Sequence, residues 1–145
     1  MAPKVSIICK HGLLSIKDKK ELLKLVIFTL SRFQNYYAGL SIKFVSLEEM
    51  IELNQTFRGK NYETDIISFP SDEIDPENRV RYLGDIAISY DVARKNAING
   101  NIPVFEEIKF LVIHGILHLL GYSDDSEEGY QKMILLQKEI LNVFK

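Results

Sequence analysis

Two histidines one helical turn apart, His114 and His118, lie inside the most apolar stretch of this chain, Phe110 to Leu120, and constrain it more than any other feature. At 3.6 residues per turn, positions four apart project from nearly the same helix face, so both rings can offer a nitrogen to one ion. Gly121 follows at the point where a left-handed residue can stop the helix and turn the chain back. That return lets Asp124 approach as a third, oxygen ligand. Three protein ligands with a fourth position open match a catalytic zinc better than a structural one. A single histidine on so apolar a helix would read as a core residue with satisfied ring nitrogens; the combination with Gly121 and Asp124 favours a metal site.

The spacing His-x-x-x-His-x-x-Gly-x-x-ligand is also that of the metzincin peptidases, whose second motif residue is a glutamate acting as general base. Here that position is Gly115. Peptidase chemistry therefore lacks its base and stays a minor alternative, open only to an acid distant in sequence.

The chain has 145 residues, 46% of them hydrophobic, which suits one domain, 1–145, with a single core. The lone cysteine, Cys9, sits in an apolar run and reads as a reduced core residue of a cytoplasmic protein. The apolar segment after Met1-Ala2-Pro3-Lys4 is too short for a signal-peptide core, and no later stretch is long enough to span a membrane. A net charge of −2 argues against tight, non-specific binding to nucleic acid, so any RNA contact should be local or helped by a partner.

Periodicity and punctuation predict a short strand over Val5 to Ile8, a helix over about Asp18 to Tyr37, and a strand over Leu40 to Val45. Ser46 with Glu49 forms a capping box for a helix that Gly59 stops. A strand is expected over Asp65 to Phe69, ended by Pro70, and another over Tyr82 to Ile88. Ser89 caps a short helix; the histidine helix spans about Val104 to Leu120; Ser126 opens a terminal helix with Met133, Leu136, Ile140 and Leu141 on one side. The expected class is α+β: a small mixed sheet packed by helices, with the metal-binding helix near the C-terminal third.

Leu53-Asn54, Phe57-Arg58-Gly59-Lys60, Thr64-Asp65-Ile66-Ile67-Ser68-Phe69-Pro70, Leu83-Gly84-Asp85-Ile86 and the histidine helix, in that order, resemble the YbeY family of rRNA maturation factors. The resemblance covers Leu53 to Asp124. It implies a zinc-dependent, single-strand-specific endoribonuclease with one Zn2+ ion, working in the cytoplasm on small-subunit rRNA 3′ end maturation. Ribosome assembly and its quality control are implied too, with single-stranded rRNA, the small ribosomal subunit and assembly factors as partners and neither DNA nor a membrane. The family's three zinc-binding histidines match His114, His118 and position 124, where this chain has aspartate; Ser123 stands where the family usually has aspartate. A carboxylate remains a sound zinc ligand while lowering the net charge on the ion. Asp125 is a substitute ligand in this reading, and His11 a remote one.

Arg58 matches the arginine that the family places near the metal and implicates in catalysis. Its chemistry agrees, because a guanidinium at a helix end offers phosphate a bidentate fork that a lysine cannot copy. Lys60 would add a second substrate-binding cation, and His114 would serve catalysis as well as the metal. Asp65 and Asp85 stand in apolar strands where an unpaired charge is costly, so each should have a partner and a structural rather than catalytic role. Thr64 and Ser68 read as turn and strand residues beside a cleft. The competing readings are a ribosome-assembly binding module with structural zinc and a metallohydrolase acting on a non-RNA substrate. Nickel accepts the same ligands as zinc.

Overall fold

The computed structural model describes residues 3–144; Met1, Ala2 and Lys145, which begin and end the expected domain, lie outside the described residues. Four strands and five helices follow in the order β1 (Lys4–Ile8), α1 (Ile16–Arg32), β2 (Gly39–Val45), α2 (Leu47–Arg58), β3 (Ile66–Pro70), β4 (Tyr82–Ser89), α3 (Tyr90–Asn99), α4 (Val104–Leu119) and α5 (Glu127–Phe144). The sheet order is β1-β2-β4-β3. β1, β2 and β4 run parallel, and β3 is the antiparallel edge. The α+β class with a small mixed sheet is therefore the architecture observed.

Strand alternation sorts the two sheet faces. Leu40, Ile42 and Phe44 of β2, with Ile86 and Ile88 of β4, join Leu22, Leu25 and Leu30 of α1, Val112 and Ile116 of α4, and Met133 and Ile140 of α5 in the main core. The opposite face carries a smaller cluster, Val45, Met50, Ile67 and Ala87, against which Leu53 and Phe69 pack. α2 covers that part and leaves the rest of the face open. Helix α4 lies deepest: Ile108, Val112, Ile113, Ile116 and Leu117 are all buried.

The caps explain most boundaries. Ser46 Oγ accepts from Glu49 N–H and Ser89 Oγ from Val92 N–H, and Gly59 ends α2 at φ 67°. Two expectations need correction. α1 starts at Ile16, because Ser15 Oγ caps it through Asp18 N–H, and stops at Arg32 rather than Tyr37. Gln34 takes φ 59°, and the Phe33 ring turns onto Tyr122 at 5.8 Å between centroids, so a tertiary contact overrides a good helical pattern. β3 begins after Asp65 and includes Pro70, which an edge strand tolerates because a missing N–H there breaks no second ladder. Asp85 has the partners its strand position demands: it is exposed on the uncovered sheet face, where Ser41 Oγ and Tyr82 OH donate to it. Cys9 is half-buried against the main core, as a free thiol.

Gly84 holds the join between β3 and β4. Its φ is +138°, and a Cβ there would stand 2.2 Å from the Phe69 carbonyl oxygen, a backbone atom that cannot swing aside. Gly84→Ala should therefore cost about 3 kcal/mol through strain and overpacking. Thermal unfolding followed by circular dichroism should show a midpoint about 10 °C lower; an unchanged midpoint would refute this account of the β3–β4 join.

Candidate metal centre

Helix α4 brings His114 and His118 to the edge of the core by an approach that only glycine permits. A Cβ on Gly115 would lie 2.9 Å from Ile86 Cδ1 and 3.0 Å from Ile66 Cδ1, so the helix backbone rests directly on β4 and β3. Ser68 Oγ donates to the Gly115 carbonyl at 3.4 Å across the same contact. The place of the peptidase glutamate is thus filled by sheet side chains.

The end of α4 arranges the third ligand. Gly121, at φ 101°, donates its N–H to the His118 carbonyl, and Tyr122 donates to the Leu117 carbonyl, each at 3.0 Å. These paired bonds form a Schellman stop and reverse the chain. Asp124 Oδ2 then lies 3.4 Å from His114 Nε2 and 3.3 Å from His118 Nε2, while the two Nε2 atoms are 3.0 Å apart. Among the described residues these three side chains form the one metal-competent group; Asp125 and His11 are exposed and do not join it.

Hydrogen bonding on the far side of each ring shows what the near side can do. His118 Nδ1 is 3.1 Å from the Tyr122 carbonyl oxygen, which can only accept, so Nδ1 carries the proton. His114 Nδ1 is 3.1 Å from Gln137 Oε1. The Gln137 amide is oriented by its other end, whose Nε2 donates to the Phe110 carbonyl at 3.1 Å. Each ring therefore turns its Nε2 toward the other ring and toward a carboxylate oxygen. Three ligand atoms converging in this way could hold a metal ion between them. Tetrahedral zinc, with bonds of about 2.0–2.2 Å, would separate its ligand atoms by about 3.3–3.6 Å, close to the spacings found. The residues fit the ion.

Gln137 had no signal in the sequence beyond being polar in the apolar stripe of α5; it is fully buried. Such a partner fixes the tautomer and orientation of a ligating imidazole.

The three candidate ligands line a cleft of about 630 Å³ together with Phe57, Arg58, Thr64, Asp65, Ser68 and Phe69. The His114 and His118 side chains are 15% and 26% exposed and Asp124 36%, so the centre opens to this cleft instead of being sealed. Arg58, the last residue of α2, is exposed and faces the same space. Lys60 is not among the lining residues; its Nζ sits 5.9 Å from the Tyr62 ring centroid, past the helix end. Asn54, buried in α2, donates to the Tyr62 carbonyl at 2.8 Å and ties that loop to the helix that presents Arg58.

Asp65 finds the partner its position demands: Asn96 Nδ2 donates to it at 3.2 Å, and its own carbonyl accepts from Ser89 N–H at 2.9 Å. Burial, followed by the nearby charge of Asp65, pushes the Glu107 carboxyl up, while its hydrogen bond from Asn96 pulls the other way. On the open sheet face, burial and then the hydrogen bond to Asp85 push the Tyr82 phenol up.

Comparison with known proteins places this geometry in a lineage. The profile of the family described as Endoribonuclease YbeY matches residues 7–145. A Syntrophus aciditrophicus protein of that description is 42% identical over 105 residues, covering 69% of this chain and 63% of its own length. One from Persephonella marina is 47% identical over 102 residues, 70% of this chain and 67% of its own. The alignment thus spans just under two thirds of the Syntrophus protein. A solution structure from Thermotoga maritima, 26% identical, superposes with a TM-score of 0.63 over 97% of this chain and 91% of that one. On the profile match and these identities, the chain belongs to the Endoribonuclease YbeY family.

Proposed function

We propose that this protein is a zinc-dependent endoribonuclease that cuts single-stranded RNA, acting in the cytoplasm on the 3′ end of small-subunit rRNA and in ribosome assembly and its quality control. The observation that carries the reading is the convergence of His114 Nε2, His118 Nε2 and Asp124 Oδ2 in a cleft that Arg58 also lines. Family membership supplies the substrate class, and the small ribosomal subunit and its assembly factors are the partners that follow from it.

His114, His118 and Asp124 would hold one ion. An ion held there would supply Lewis-acid chemistry for phosphodiester cleavage. Arg58 grips the non-bridging phosphate oxygens and stabilises the negative charge that grows on them during cleavage, from a position that substrate can reach without displacing core residues. Lys60 adds a cation for the RNA backbone just outside the cleft. Gln137 holds His114 in the tautomer whose Nε2 faces the cleft, and the Tyr122 carbonyl does the same for His118. The openness of the cleft supports a catalytic over a structural ion, and Gly115, pressed on Ile66 and Ile86, leaves no room for a peptidase glutamate.

Three measurements test this reading. Protein purified without chelators or nickel resin should contain near-stoichiometric zinc by elemental mass spectrometry, and His118→Ala and Asp124→Ala should lose it; a folded parent that neither carries nor takes up zinc would sink the proposal. Gln137→Leu should keep the fold and weaken zinc about 10- to 100-fold in a chelator competition. Arg58→Ala should retain zinc and fold while lowering kcat/KM for a single-stranded RNA about 100- to 1,000-fold; undiminished cleavage would point to a contaminating nuclease. The ends of the early products identify the nucleophile, since a 2′,3′-cyclic phosphate marks attack by the RNA's own 2′-hydroxyl and its absence marks water.

A further inference from the structure

We propose that Phe57 is a stacking platform for an unpaired RNA base, and that this subsite makes the centre select single strands. The inference rests on the endoribonuclease reading and names the part of the substrate that the metal centre alone does not recognise.

Phe57 is the penultimate residue of α2 and 62% exposed, although it belongs to a helix whose inner face is well packed. A single exposed aromatic is ordinary. Tyr36 and Tyr37, about half exposed, pair with each other and line neither groove described here. Three things set Phe57 apart. Its ring is braced by Phe69, with centroids 4.9 Å apart and planes at 74°, and Phe69 in turn packs on the smaller core cluster. The platform is therefore held in place before anything binds. Next, Phe57 and Phe69 line both the metal cleft and a second groove of about 590 Å³ over Leu53, Thr56, Val45 and Ala87, so they stand where the two meet. Last, Arg58 follows Phe57 directly and lines the metal cleft, which puts a phosphate-binding fork beside an aromatic face.

That pairing suits a nucleotide. A strand whose phosphate meets Arg58 and the metal ligands carries a neighbouring base toward Phe57, and every base has a π-face to stack there whatever its sequence. Bases within an A-form duplex already stack on their neighbours and offer no free face, so a duplex gains nothing from the platform. The acidic balance of the chain agrees, because affinity would come from stacking at one site more than from a broad positive field.

The chain contains no tryptophan, so Phe57→Trp creates a sole fluorescent reporter at the site. The zinc-loaded variant is titrated with a short 2′-O-methyl oligoribonucleotide, with the same strand in a duplex, and with an abasic strand of equal phosphate count; Tyr37→Trp is the control. The single strand should quench Phe57→Trp, the duplex and abasic strands should not, and Tyr37→Trp should stay unquenched. Phe57→Ala and Phe57→Leu, which removes the ring while keeping apolar bulk, should each bind the single strand about 10-fold more weakly with zinc content unchanged. Equal quenching by the abasic strand, or full affinity in Phe57→Leu and Phe57→Ala while the parent binds, overturns the proposal and leaves the endoribonuclease reading intact. A parent that neither binds nor cuts single-stranded RNA overturns both.

Discussion

The contact of the α4 backbone with the sheet at Gly115 is the constraint from which the rest of the centre follows. A helix this apolar must be buried on nearly every side, yet it has to present two imidazoles to solvent. Resting the helix backbone on Ile66 and Ile86 resolves the conflict, because His114 and His118 then emerge at the margin of the core with their other atoms packed. Moving the helix outward to admit a side chain at position 115 would displace both rings from the position opposite Asp124. A core packed to crystal-like density does not absorb such a shift without cost.

Around that contact, the polar groups behind both imidazoles are paired. The Schellman stop at Gly121 satisfies the final carbonyls of α4 and places the Tyr122 carbonyl against His118 Nδ1. Gln137, reaching in from α5, spends one end of its amide on the Phe110 carbonyl and the other on His114. Both outer nitrogens thereby act as donors, and the inner nitrogens face the position that a metal ion could take. The orientation of one imidazole is local to its own helix; that of the other depends on a helix 23 positions away in sequence.

The sheet divides the labour between its faces. One is sealed by α1, α4 and α5. The other is covered only at the end where α2 packs on Ile67 and Ala87, and there the C-terminus of α2 carries Phe57 and Arg58 to the cleft. The Gly59 stop and the Asn54 bond to the Tyr62 carbonyl hold that helix end in place. The exposed remainder, with Asp85, Ser41 and Tyr82, is polar as an open antiparallel or mixed face should be.

What the sequence determined by itself was everything set by short-range geometry. The 3.6-residue period put His114 and His118 on one face, Gly121 was able to reverse the chain, and Ser46, Ser89 and Gly59 marked helix ends through bonds reaching three or four residues. The mixed sheet and the helices that pack it were legible from alternation and periodicity for the same reason. The structure alone decided what depends on residues far apart in the chain meeting: Gln137 behind His114, Phe69 behind Phe57, Phe33 drawn onto Tyr122 so that α1 stops early, and Ser41 as a partner of Asp85 on the open face. Lys60 shows the same limit, since two residues past a helix end can point into a cleft or away from it. Local patterns carry the preferences of a segment, and only packing chooses which neighbour each side chain will have.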